Sequence, residues 1–259
     1  MDRTGIKWSK EETILAFDLY CRTPFGKIHQ NNPDIIALAT LIGRTPGSVG
    51  YKMHNLAHLD PELKKRNITA LAHGSKMDSE VFYEFCDDIA ELSLQAQIIK
   101  DRMQKTDTRE IIDYSEFEAI PPGEYKNQMM KTRIGQYYFR MSVLNSYGNR
   151  CCITGIQQPE ILIASHIKPW SVCDEKTERT NPRNGLCLNA LHDKAFDKGL
   201  ITIDSHYQIV MSEYLKESIM DEKTREWFFS YEGRIITLPD KFYPAKQFIE
   251  YHNDIIFRR

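Results

Sequence analysis

The 259-residue sequence lacks the features that would place it in a membrane or in an oxidising compartment. No apolar run approaches the roughly 20 residues that a membrane-spanning helix needs. The polar start Met1-Asp2-Arg3-Thr4 differs from a secretory signal peptide. The six cysteines include no Cys-x-x-Cys pair, and we interpret them as reduced thiols. These absences predict a cytoplasmic protein without a membrane partner.

The sequence also lacks a strong net charge, internal repeats and low-complexity tracts. A formal charge of −2 provides no whole-molecule attraction to a polyanion, so any phosphate-binding surface must be a local patch. Hydrophobic residues make up 41% and charged residues 27%, a balance typical of a soluble globular protein and not of a disordered or fibrous one. The length allows a sizeable core and one or two domains, and we take two as the working number.

The N-terminal part carries start signals for three short helices. At each start a side chain can accept a backbone hydrogen bond as the N-cap, and an apolar pattern of helical period follows. Glycine and proline provide the other boundaries. The predicted caps are Ser9, with Glu12 completing a capping box, Asn32 and Thr45; Pro33 and Pro46 occupy first helical positions, and Gly43 ends the second helix.

This pattern, from Trp8 to Val49, resembles helix-turn-helix and Myb-like domains, whose last helix enters the DNA major groove. The resemblance implies a small helical DNA-binding domain over residues 1–75. A plain three-helix packing module is the alternative, because two glycines weaken the third helix. The residues expected to face nucleic acid are Arg44, Ser48, Tyr51, Lys52 and Asn55.

The middle of the chain is acidic. Between Met77 and Glu118, twelve acidic residues stand against four basic ones, a local charge of −8, which disfavours contact with a phosphate backbone. Its apolar spacing predicts one or two helices, which we interpret as a connector or a dimer contact over residues 76–124. Pro121-Pro122-Gly123 then breaks regular structure and marks the predicted domain boundary.

The charge reverses in the next segment. From Lys126 to Trp170, six basic residues stand against Glu160 alone, a local charge of +5. Arg133, Gln136 and Arg140 are spaced by three and four, so they would line one stripe of a helix that could contact phosphates. An ordinary solvated face is the alternative.

The richest chemistry lies between residues 150 and 203. We read Arg150–Gly155 as a strand, Ile161–His166 as a second strand, and the stretch from Asn181 to Leu200 as a loop, a short helix and a glycine stop. A further strand is expected at Ile201–Ile203. This order would bring a histidine, an asparagine and several carboxylates together.

These residues carry a resemblance to a known family. The strings Cys-Ile-Thr-Gly, Ala-Ser-His-Ile-Lys-Pro-Trp, Asn-Pro-Arg-Asn-Gly-Leu and Leu-His-Asp-Lys-Ala-Phe-Asp-Lys-Gly-Leu are similar to HNH endonucleases of bacterial restriction and defence systems. The resemblance extends over residues 125–259. It implies an α+β protein with a C-terminal ββα-metal nuclease domain behind the helical domain and connector.

The resemblance assigns roles to two residues. It implies that His166 is the base that activates a water molecule and that Asn184 fixes its imidazole through the second ring nitrogen. A histidine suits this role because its ordinary pKa lies near neutrality. A core histidine bonded to the backbone is the alternative for His166.

The expected cofactor is Mg²⁺ or Mn²⁺. Asp193 and Asp197 stand four apart on the predicted helix, so both point the same way, and carboxylate oxygens suit these ions. Ser165 occupies a position where the family usually has a ligand, although serine is a poor one. His192 could replace Asp193 as ligand or contact a phosphate. Helix-surface carboxylates without a metal are the alternative.

Zinc is not expected to have a structural role. Many HNH proteins hold zinc with two Cys-x-x-Cys pairs, which this sequence lacks. We interpret Cys151, Cys152 and Cys187 as small buried apolar residues, because adjacent cysteines rarely suit tetrahedral closure.

The functional hypothesis is metal-dependent DNA hydrolysis in restriction or antiphage defence. The alternatives are a DNA-binding protein with an inactive HNH fold, motivated by Ser165, and an RNA-cleaving nuclease. Lys168 and Arg183 join the candidate nucleic-acid contacts. A homodimer would allow two sites to cut both strands, and an activating partner protein or signal stays open.

Overall fold

The computed structural model describes residues 5–65, 74–104 and 124–259. It is rich in helix, with two small antiparallel sheets in its C-terminal half. The chain divides into two compact units, residues 1–142 and 143–259. The sequence prediction had placed a boundary near residue 124, at a Pro-Pro-Gly break that falls outside the described residues. The observed division lies instead inside a continuous helix.

The N-terminal unit is built from helices. Several begin at side-chain caps: Ser9 forms a full capping box with Glu12, Asn32 caps the second helix and Thr45 the third, as the sequence predicts. Gly43 ends the second helix in the left-handed conformation, with φ 69°. The helices are α1 (Lys10–Arg22), α2 (Pro33–Ile42), α3 (Pro46–Leu59), α4 (Pro61–Lys65), α5 (Lys76–Phe85), α6 (Ile89–Gln104) and α7 (Glu124–Ser146), the last of which continues into the second unit.

Helix α1 is the centre of this unit. Ten consecutive residues from Glu12 to Cys21 are buried, because α2, α3, α5 and α6 surround the helix. The acidic segment that contains α5 and α6 is therefore part of the packed unit where the structure describes it. The predicted helices are confirmed over residues 76–104, and the interpretation of the segment as a connector or a dimer contact stays a prediction.

Two predicted nucleic-acid contacts of the N-terminal unit are buried. The Arg44 guanidinium pairs with the Glu12 carboxylate at 2.8 Å and donates to the backbone oxygens of Ile6 and Lys7. The Lys52 ammonium pairs with the fully buried Asp78 carboxylate of α5. The Trp8 ring lies against both cations, 4.4 Å from the Arg44 guanidinium carbon and 4.8 Å from the Lys52 nitrogen.

These contacts correct the prediction that Arg44 and Lys52 bind DNA. Both cations stabilise the helical packing, and Asn55 is buried as well, whereas Tyr51 is exposed. The sequence of α3 alone cannot distinguish a DNA contact from a buried ion pair, because the carboxylate partners Glu12 and Asp78 lie far away in the sequence. The plain packing interpretation therefore fits these two residues.

The C-terminal unit is arranged around one antiparallel strand pair and a short helix. Strand β1 (Leu162–His166) pairs with β2 (Gly185–Asn189), so that His166 lies opposite Gly185 and Ser165 opposite Leu186. Helix α8 (Ala190–Asp197) follows β2 directly and packs on both strands. Strands β3 (Ile201–Ile203) and β4 (Ile209–Met211) form the second sheet, and helices α9 (Glu213–Lys216), α10 (Glu222–Phe229) and α11 (Lys246–Tyr251) complete the unit.

One predicted strand is a turn, and one predicted loop is a strand. Residues 152–154 form a turn, in which the Gly155 amide donates to the Cys151 carbonyl at 2.8 Å and Gly155 adopts φ 74°. The partner of β1 is instead Gly185–Asn189, all five residues of which are buried. Its side chains show no alternation of polar and apolar residues, which is why the pattern gave no strand signal there.

Candidate active site

His166 ends β1 and is held at one ring nitrogen. Its Nε2 lies 2.8 Å from the backbone oxygen of Arg179. A carbonyl can only accept, so Nε2 carries the proton in the neutral ring and Nδ1 carries the lone pair. Burial lowers the pKa of His166, while the Arg179 carbonyl and the nearby Asp197 charge oppose that effect. The imidazole is therefore neutral at pH 7 and has the protonation state of a general base.

Asn184 does not bond the His166 ring, which corrects the predicted role of its side chain. The Asn184 amide is fully buried, and its Oδ1 accepts from the Lys168 backbone N–H at 2.8 Å. Its Nδ2 donates to the Lys168 carbonyl at 3.1 Å and lies 3.5 Å from the Glu178 carbonyl. Asn184 thus joins the chain just after His166 to the chain just before Arg179, and it orients the imidazole through both backbones.

Two carboxylates on α8 lie beside this histidine. Asp193 is half-buried and Asp197 is exposed, one helical turn apart. Burial raises the pKa of Asp193, and the neighbouring Asp197 charge adds to the rise. The Ser165 hydroxyl lies near enough to lower the pKa of Asp193, although the two groups are not in hydrogen-bond contact. Helix α8 and the end of β1 therefore bring Ser165, His166, Asp193 and Asp197 together.

This donor set fits a hydrated divalent cation. Mg²⁺ usually binds through one or two carboxylates and completes its shell with water and substrate phosphates. Ser165 is 2% exposed, and its hydroxyl oxygen has no hydrogen-bond partner among the described residues, so a polar atom beside Asp193 is left for a further group to satisfy. Within the same residues, no cluster of three or more His, Cys, Asp or Glu side chains is suited to enclose a metal ion. Asp193 and Asp197 are the residues that would hold the ion.

His192 faces away from the two carboxylates and is fully buried. The Asn189 side-chain amide donates to its Nδ1 at 2.9 Å, and the rings of Trp227, Phe228 and Tyr231 lie 4.8 to 5.7 Å from the imidazole. Burial lowers the pKa of His192 to about 4. The Nε2 atom of His192 has no hydrogen-bond partner among the described residues, and the role of His192 as catalytic residue or metal ligand stays a prediction.

The buried cysteines pack around Asn189, which caps α8. Cys151, Cys152 and Cys187 are all nearly inaccessible, and the Cys152 N–H donates to the Cys187 carbonyl at 2.8 Å. The Asn189 amide nitrogen lies 3.5 Å from the Cys151 sulfur and 3.2 Å from the Thr154 hydroxyl. Hydrogen bonds from one asparagine thus tie the 151–154 turn to the start of the helix that carries the carboxylates.

The predicted nucleic-acid contacts of the nuclease segment differ in their surroundings. Arg133, Gln136 and Arg140 lie exposed along α7, as their spacing predicts. The Lys168 ammonium is 2.5 Å from the Glu178 carboxylate, which raises the pKa of Lys168. Arg183 is half-buried beside Asn184.

Sequence reasoning missed Arg179, whose backbone oxygen anchors His166. No motif marks this residue, because its loop is a charged stretch of ordinary composition and the contact spans thirteen positions. Only the folded loop shows that Arg179 belongs to the site.

Comparison with known families agrees with this geometry. Residues 151–204 match the model of the HNH endonuclease family, a range that contains β1, β2, α8 and β3. The chain therefore carries an HNH endonuclease domain in its C-terminal half. The family indicates a nuclease, a hydrolase of phosphodiester bonds with nucleic acid as substrate, and HNH nucleases generally use divalent metal ions. No curated protein matches the chain. No helix among the described residues has the length and apolar character to cross a membrane.

Proposed function

We propose that this protein is a metal-dependent endonuclease that hydrolyses DNA phosphodiester bonds. The observation that carries the proposal is the position of His166, anchored through Nε2 at the end of β1, beside the Asp193 and Asp197 carboxylates of α8. A neutral histidine next to two carboxylates provides a base and a cation site within one ββα unit.

The chain's own residues account for proton transfer. His166 accepts a proton from water at Nδ1 while the water oxygen bonds to phosphorus, and the bond from phosphorus to the 3′ oxygen breaks. The products are a 3′-hydroxyl, whose oxygen takes its proton from solvent water, and a 5′-phosphate. The Arg179 carbonyl stabilises the imidazolium, because it accepts from the Nε2–H throughout. A divalent ion held by Asp193 and Asp197 would supply positive charge at the phosphate and the leaving oxygen.

The biological setting follows from the family resemblance and is part of the proposal. The motif strings resemble nucleases of restriction and antiphage defence, so foreign DNA in the cytoplasm is the proposed substrate. A dimer would place one site on each strand. A partner protein or small signal would control the nuclease where cutting must be conditional.

The test incubates the purified chain with supercoiled plasmid and with a single-stranded RNA, in Mg²⁺, Mn²⁺ or chelator. We expect nicked or linear plasmid only when metal is present. Cleavage of RNA with every form of DNA intact would replace DNA by RNA as the substrate. A shift in plasmid mobility without any cut strand would favour a DNA-binding protein with an inactive site, the outcome that Ser165 motivates.

A further inference from the structure

An arginine and a tryptophan continue the site beyond His166. The Trp170 ring meets the His166 ring edge to face, with centroids 5.5 Å apart. The Arg179 guanidinium carbon lies 5.5 Å from the centre of the same tryptophan ring. The imidazole, the indole and the guanidinium therefore form one contiguous row, and Trp170 and Arg179 are both only half-buried.

The Arg179 guanidinium makes few hydrogen bonds in this row. Its Nε is buried and has no acceptor among the described residues, and its ion pair with Glu175 is long, at 3.9 Å, and partly exposed. Arg225 of the same unit shows the contrast, since one of its nitrogens donates to two backbone carbonyls. A guanidinium with unused donors beside a general base is suited to bind an oxyanion bidentately.

The loop that carries Arg179 is fixed from several sides. Asp174 accepts from two backbone N–H groups and a hydroxyl of the following residues, and the Arg179 N–H donates to the Asp174 carbonyl at 3.1 Å. Asn184 holds the neighbouring Glu178 carbonyl. The backbone at Arg179 is therefore held by contacts with Asp174 and Asn184, and Asn184 also helps to orient His166.

Lys168 is less suited to this task, although it follows His166 more closely in the sequence. Its ammonium is neutralised by Glu178 at 2.5 Å, and that carboxylate also accepts from the Asp174 N–H. A phosphate would have to displace this pair, whereas at Arg179 it would replace only the longer, partly exposed contact with Glu175 at 3.9 Å.

We propose that Arg179, stacked on Trp170, is a catalytic residue that binds a non-bridging oxygen of the scissile or adjacent phosphate and stabilises its developing negative charge. This inference rests on the proposed nuclease function. Arg179 thereby has two contributions: its carbonyl holds His166, and its side chain binds the substrate. A substitution separates them, because it removes the side chain and leaves the carbonyl in place.

The experiment compares the wild-type chain with Arg179→Ala and Arg179→Lys in single-turnover cleavage of a plasmid with saturating Mn²⁺. Arg234→Ala is the matched control, because Arg234 is an exposed arginine of the same unit that lies over Tyr231, 5.7 Å from the ring centre. Like Arg179→Ala, the Arg234→Ala substitution removes one positive charge from the molecule. We expect Arg179→Ala to lower the single-turnover rate constant at saturating protein about 100-fold, a larger change than the rise in the protein concentration that gives half the maximal rate. Arg179→Lys should give an intermediate rate constant.

Added guanidinium ion should restore part of the rate of Arg179→Ala and none of any other variant, a result that a merely structural role would not give. Arg179→Lys keeps the inference testable if the alanine variant melts at a lower temperature. An Arg179→Ala rate within about threefold of wild type would overturn the inference and leave the proposed function intact. A wild-type chain that cuts no nucleic acid would overturn both.

Discussion

At the scale of single residues, Asn184 and Arg179 orient the His166 imidazole, the proposed base, through backbone contacts. Asn184 binds both backbone groups of Lys168, and the Arg179 carbonyl fixes the His166 ring. The histidine is therefore set by two loops that meet only in the folded chain. Because Nε2 donates to the Arg179 carbonyl, Nδ1 is the ring nitrogen that would accept a proton.

The carboxylates of α8 should control the need for metal. We expect Asp193→Asn and Asp197→Asn each to raise the Mn²⁺ concentration for half-maximal plasmid cleavage by at least about tenfold, because each removes one anionic ligand. A metal titration of the initial rate measures this. Glu160→Gln, which removes an exposed carboxylate two residues before β1, is the control that should leave the titration unchanged. An unchanged titration in both aspartate variants would mean that other residues bind the ion.

Arg44 should matter for folding and not for DNA affinity. We expect Arg44→Gln to lower the free energy of unfolding of the N-terminal unit by roughly 3–5 kcal/mol, because the buried Glu12 carboxylate loses its ion pair with the Arg44 guanidinium. Urea unfolding measures the loss. Weaker DNA binding by a variant of unchanged stability would restore the DNA-contact interpretation.

At the scale of elements, Gly199 joins α8 to the C-terminal segment. It follows α8 with φ 66°, and its carbonyl accepts from the Arg258 N–H at 2.9 Å. A Cβ atom at this position would lie 2.0 Å from the Ile256 carbonyl oxygen, a backbone atom that cannot rotate away. Helix α8 is thus held in place at both ends, by Asn189 and by this glycine.

We therefore expect Gly199→Ala to destabilise the protein more than Gly233→Ala. Both glycines have a positive φ, but a Cβ at Gly233 would meet nothing within 4 Å. The Gly233 variant should lose about 1–2 kcal/mol from left-handed backbone strain alone. Thermal unfolding of the two variants separates the cost of backbone strain from the cost of the clash with Ile256. Equal losses of stability would show that the C-terminal segment moves to relieve the clash.

The sequence predicts elements well where their signals are local. The caps at Ser9, Asn32 and Thr45 are confirmed, because capping depends on residues within one turn. Strand β2 was missed, since a strand buried on both faces has no alternation to read. The pairing of β1 with β2, some twenty positions further along the chain, could not be predicted either, because it depends on the tertiary fold.

The same distinction holds for the site. His166, Asp193 and Asp197 stand in a compact motif, and the end of β1 lies next to α8 in the folded chain, so that the Asp197 charge acts on both His166 and Asp193. His192 lies in that motif too, yet its ring is turned into an aromatic cluster from α10 and the turn after it. The direction of a side chain on a short amphipathic helix depends on the elements that cover it, which the motif does not contain.

At the scale of the whole molecule, two buried histidines should make the C-terminal unit sensitive to acid. Burial lowers the pKa of His252 to about 4, with its Nε2 3.1 Å from the Phe196 carbonyl and its ring stacked on Phe196. Unfolded histidine binds a proton below about pH 6.5, whereas the folded ring stays neutral down to about pH 4. The free energy of unfolding therefore decreases as the pH falls from about 6.5 to about 4. His192, whose pKa is also lowered to about 4, adds to this decrease.

We expect His252→Gln to reduce the dependence of stability on pH. The wild-type free energy of unfolding should fall between pH 6.5 and about 4, with His252 contributing on the order of 3 kcal/mol to the decrease. Urea unfolding at several pH values in this range measures the slope for both proteins. A variant with the same slope as wild type would show that His252 is not the titrating group.

The central claim is that His166 makes this chain a metal-dependent nuclease, and one comparison tests it most directly. The initial rate of plasmid nicking with Mn²⁺ is measured for wild type, His166→Ala and His206→Ala, a control that removes an exposed histidine from a turn of the same unit. We predict a loss of about 100-fold or more for His166→Ala and a wild-type rate for His206→Ala. Equal nicking by wild type and His166→Ala would contradict the account.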